Sequence, residues 1–139
     1  MLQENLASRE TTNMYKALIT GSVEDMIIEF RRKTEVIFAK KLVVDFVVNL
    51  LSYSIIPNNL AFSVSDSKVF IWAEINEDDE ESEDILIESE GRVNAKYYQF
   101  GYNISTTIVE VCDRIKIPSH YIIIPIKELK KDWQTSQNI

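Results

Sequence analysis

The chain has 139 residues, of which 45% are apolar and 27% charged, the balance of an ordinary globular domain with enough apolar side chains for one core. One cysteine (Cys112) excludes an intramolecular disulfide and any zinc site of several thiolates, one histidine (His120) excludes sites that need two imidazoles, and three scattered glycines exclude glycine-rich phosphate loops. The net charge of −7 is concentrated: Glu74, Glu77, Asp78, Asp79, Glu80, Glu81, Glu83, Asp84, Glu88 and Glu90 fall within 74–90 with no base among them, and the rest of the chain is net positive.

Residues 4–20 read as a first helix with Leu6, Met14, Leu18 and Ile19 as its apolar members and Gly21 as its stop. Ser22 and Asp25 resemble a cap for a second helix that runs to about Ser52. Val23, Met26, Ile27, Phe30, Ile37 and Phe38 recur on one of its faces. Beyond Lys40 this helix is apolar almost all round, with Lys41, Asp45 and Asn49 making one narrow polar stripe at four-residue spacing. Such a helix belongs at the centre of a core or against a second subunit. The basic cluster Arg31, Arg32, Lys33, Lys40 and Lys41 reads as a solvated helix face rather than a nucleic-acid contact, because the chain as a whole is acidic.

Pro57-Asn58-Asn59 ends the helix in a turn, and residues 60–75 read as a hairpin turning at Asp66-Ser67. In its return strand Val69, Ile71, Ala73 and Ile75 face one way, and Phe70 and Trp72 the other. A strand apolar on both faces is covered on both or awaits a partner. Residues 76–84 read as an acidic loop without the alternating ligands and glycine of a calcium loop, leading into a helix over about 83–100 capped by Ser82. Residues 105–115 leave helix and strand both open; Ile108, Val111, Cys112 and Ile115 fall at helical spacing, which favours a helix with Cys112 on its inner face. Residues 121–126 read as a strand, Lys127–Trp133 as a last short helix, and 134–139 as a frayed tail. The expected fold is a single α+β domain over 1–139: a small, mainly antiparallel sheet, hairpin 60–75 plus strand 121–126, packed by three to five helices.

No fixed-spacing motif points to a chemistry. Cys112, Asp113 and His120 contain the groups of a nucleophilic relay, but an inward-facing thiol behaves as a small hydrophobe, so no catalytic residue, metal site or cofactor is expected. Trp72, Tyr97, Tyr98, Phe100 and Tyr102 are the candidates for a partner or ligand surface, since four aromatics in six residues cannot all enter one core. The expected role is a non-catalytic interaction or regulatory protein, with a small enzyme or small-molecule binder as the alternative, its pocket lying between the sheet and helix 83–100. The expected partners are a second copy, because Leu42–Leu51 and the Phe70/Trp72 face exceed what one small domain covers, and a basic protein at 77–84. The 15-residue apolar stretch Leu42–Ile56 is too short and too polar to span a membrane. With no basic start leading into an apolar run, and one unpaired thiol, a cytoplasmic protein is expected.

Overall fold

The computed structural model describes residues 2–137, so the Leu6 side chain in the expected first helix and the last two residues of the expected tail lie outside what it describes. The elements, in order, are α1 (Leu2–Leu51), β1 (Asn59–Ser65), β2 (Lys68–Ile75), α2 (Glu80–Tyr97), β3 (Asn103–Glu110), β4 (Ile122–Ile124) and α3 (Ile126–Gln137), with single 3-10 turns at Tyr98–Phe100 and Val111–Asp113. The chain divides into two units, Met1–Val36 and Ile37–Ile139. Among the described residues the first is helix alone; the second opens with the remainder of α1 and contains the sheet.

The architecture is α+β with three α-helices and one four-stranded sheet among the described residues, and the sheet is mixed rather than mainly antiparallel. Its order is β3-β2-β1-β4: β1 is antiparallel to β2 and β4, while β3 runs parallel to β2. Parallel neighbours need a long crossover, and α2 supplies it. The expected helix over 105–115 is therefore β3 and a 3-10 turn. Stiff β-branched Thr106, Thr107, Ile108 and Val109 prefer the pleat, and alternate residues serve opposite faces: Ile104 and Ile108 join the main core, Val109 the other side.

Gly21 does not stop α1, which runs unbroken past it. A helical glycine costs only about 1 kcal/mol relative to alanine, less than ending and recapping a helix between two helix-forming stretches. The last helix likewise runs on through Gln137, beyond the expected end at Trp133.

In the second unit the main core lies between α1, α2 and one sheet face. Leu42, Phe46 and Leu50 meet Ile71, Leu86 and Ile104 there, all fully or nearly fully buried. Trp72, only 4% exposed, sits on the other face with Ala61 and Val109, beneath Ile117 and Tyr121. Both features from which the sequence argues for a second subunit are thus largely covered within the chain itself. Edge strand β3 is held by Asn94 of α2, whose amide accepts from Ile104 N–H at 2.7 Å and donates to Ile104 C=O at 3.0 Å, completing a ladder position as a neighbouring strand would. Lys130 of α3 donates to the carbonyls of Leu51, at 2.8 Å, and Tyr53, placing a cation on the negative end of α1. Among the described residues, no helix is long and apolar enough to cross a membrane.

Candidate functional site

The polar stripe on the second half of α1 faces α2. Asp45 accepts a hydrogen bond from the Tyr97 hydroxyl at 2.5 Å and one from Lys96 Nζ at 2.9 Å. Beside them lies an open cleft of about 260 Å³ lined by Asp45, Val48, Asn49, Arg92, Val93 and Lys96. Arg92 is itself paired with Glu88 at 2.8 Å. The space between α2 and the sheet, where the sequence places a ligand pocket, is filled by Leu86, Val93 and Tyr97 packed against Val69, Ile71 and Ile104.

Burial pushes the Asp45 carboxyl up, but the bonds from Tyr97 and Lys96, with the charges of Lys96 and Lys41, outweigh it and hold the group below its ordinary value. Tyr97 is raised by burial and then by its bond to Asp45, and Lys96 is raised chiefly by its bond to Asp45. All three groups are moved away from neutrality, so each is locked in its usual form. General acid–base work needs the reverse, a group poised near the operating pH. The trio braces α1 against α2, and both cations of the cleft already hold a carboxylate.

The expected aromatic surface is only partly brought together. Phe38 of α1 stacks on Tyr102 with ring centres 4.5 Å apart, lies 5.4 Å from Phe100 and meets Tyr97 edge-on at 6.4 Å. Tyr97 is buried, Tyr102 half-buried and Phe100 half-exposed, while Tyr98 stands 78% exposed. Trp72 is buried with the second cluster and offers no surface. Sequence reasoning missed Phe38 and Asp45 as members of this neighbourhood; the signal for Asp45 was its place on the polar stripe of an otherwise apolar helix, whereas Phe38 gave none.

Cys112 is exposed rather than inward-facing, because the segment is a strand and turn and has no helical inner face. Slight burial, the Glu110 carboxylate 3.5 Å away and the charges of Glu77 and Asp113 push its thiol up, the opposite of an activated thiolate. The Asp113 carboxylate accepts from the Glu110 backbone N–H at 2.9 Å, and the His120 ring meets Tyr121 edge-on. Among the described residues, no three His, Cys, Asp or Glu side chains gather as metal ligands.

The acidic run is not all loop. Asp79 rather than Ser82 caps α2, accepting from Ser82 N–H at 3.1 Å and from its hydroxyl at 2.6 Å. Glu80, Glu81 and Glu83 then occupy the first turn, at the positive end of the helix. Consecutive acids here serve the helix they begin.

The first unit presents a different surface. Met14, Leu18, Ile19, Met26, Ile28, Phe30 and Val36 are all more than half exposed, with Phe30 reaching 71%. Thr20 and Thr34 spend their hydroxyls on the helix's own carbonyls of Lys16 and Phe30, at 2.7 and 2.8 Å.

No family model, curated protein or solved structure matches this chain.

Proposed function

We propose that this chain works as a non-catalytic interaction protein whose binding element is the first half of α1, and that it associates there with a second copy of itself. The observation that carries the reading is the run of exposed apolar side chains from Met14 to Val36 on a regular helix. A helix without tertiary packing is marginal in water, and contiguous exposed apolar surface marks an interaction site. The polar groups support the same reading. Asp45, Tyr97 and Lys96 are spent on one another, Asp79 on a cap and Asp113 on a turn, which leaves no poised nucleophile or base among them.

Light scattering over a concentration series tests the proposal. Phe30→Glu, which puts a charge on an exposed apolar position of the first unit, is expected to hold the chain at its 16.1 kDa monomer mass under conditions where the unaltered chain dimerises. Equal masses for the two chains at every concentration would remove the first half of α1 as the binding element.

A further inference from the structure

Within the exposed first half of α1, one line of residues has a period and a charge order; it includes Phe30, with Val23 and Ile27 at 45% and 47% exposed. Thr20, Val23, Ile27, Phe30 and Thr34 follow one another at alternating steps of three and four, the 3.5-residue period of a two-stranded coiled coil. The two threonines do not spoil this seam, because their hydroxyls are bonded within the helix and leave methyl groups to pack. In this frame Glu24 and Arg31 flank the seam along the same edge, one heptad apart. Among the described residues neither has an ion-pair partner in its own helix, whereas neighbouring Lys33 pairs with Glu29 at 3.4 Å.

Resting on the self-association proposed above, we infer that two copies of α1 pair antiparallel about a two-fold axis passing between Ile28 and Glu29. Antiparallel pairing sets Ile27 against Phe30 of the second copy and Val23 against Thr34 of the second copy, each layer occurring twice by symmetry. The same register brings Glu24 beside Arg31 of the second copy, and Arg31 beside its Glu24. A parallel pair in the same frame sets Met26 beside Arg31 and Ile19 beside Glu24, so it leaves both charges against apolar neighbours. Flanking charges select orientation in coiled coils, and here they select antiparallel.

Two measurements test the inference. In a Cys112→Ser background, which removes the exposed native thiol, a spin label is placed at Met14→Cys and the distance between copies is read. The antiparallel register separates the two labels by about 44 Å along the helix axis, at 1.5 Å per residue, whereas a parallel pair keeps them within about 20 Å. Charge reversal supplies the second reading. Glu24→Arg and Arg31→Glu are each expected to weaken dimerisation about tenfold at low salt, and the double variant is expected to restore it to within about twofold.

A dimer with the short label distance, or single reversals that the double variant fails to rescue, overturns the antiparallel register and leaves self-association standing. A chain that stays monomeric at every concentration, with its stripe taken instead by another helix or a lipid surface, overturns the self-association reading itself and the register with it.

Discussion

The two halves of α1 differ in composition and in fate: 10 of the 14 residues of 38–51 are apolar, against 11 of the 23 of 14–36. From Phe38 to Leu51 the helix buries Leu42, Phe46 and Leu50 completely beneath α2 and the sheet, and it ends on carbonyls held by Lys130. From Met14 to Val36 apolar and charged side chains are interspersed, and Met26 and Phe30 are 67% and 71% exposed. In the second unit α1 is covered by α2 and the sheet, whereas the first unit consists of helix among the described residues and contains no second element to cover it.

The largest expected effect breaks the covered half. Phe46→Ala removes a fully buried ring and should lower stability to denaturant by about 3–5 kcal/mol, whereas Phe30→Ala at concentrations where the chain is monomeric should change it by less than about 0.5 kcal/mol. Comparable losses at the two sites would mean that Phe30 is covered after all. Next comes the end of the covered half. Lys130→Met removes the cation from the Leu51 and Tyr53 carbonyls and should cost about 1–2 kcal/mol in urea unfolding.

Asp79→Ala should cost about 1 kcal/mol through the lost α2 cap, whereas Glu77→Gln, outside the helix, should leave the melting temperature unchanged. The sequence places both acids in one acidic loop over 76–84, so this pair sharpens the distinction between a charge that caps a helix and one that does not. The smallest effect is on pH dependence. The folded-state pKa of Asp45 is held below its ordinary value of 3.8, so its contribution is present above that value and is lost as pH falls through the folded pKa. Asp45→Asn should therefore flatten the acid limb of the stability curve below about pH 4 and leave its shape at neutral pH unaltered.

What was legible in the sequence follows from these contrasts. The hairpin could be read because Leu60, Phe62 and Val64 alternate with smaller residues up to the turn at Asp66-Ser67, and the polar stripe Lys41/Asp45/Asn49 could be read because it interrupts an apolar run at helical spacing. β3 was hidden because Ile108, Val111, Cys112 and Ile115 satisfy a helical period by accident, and only the propensity of the β-branched run and the pairing with β2 decide against it. The cover over Trp72 comes from Ile117 and Tyr121 in a stretch without regular structure, which no periodicity announces. Residues 97–102 and Trp72 on the hairpin read as a candidate surface because aromatics are dense there; Tyr98 and Phe100 are exposed and Trp72 is buried. Aromatic density did not announce that Phe38, from another element, packs against Tyr97, Phe100 and Tyr102.

If the first half of α1 is completed by a second copy, as proposed, and the second half by its own chain, the two should differ in how their protection responds to protein concentration. Amide hydrogen exchange followed as a function of protein concentration reads both halves in one experiment. The account predicts that amides of 38–51 are protected equally at all concentrations, while those of 18–36 exchange quickly in dilute protein and gain protection as concentration rises. Equal and concentration-independent protection along the whole of α1 would contradict it.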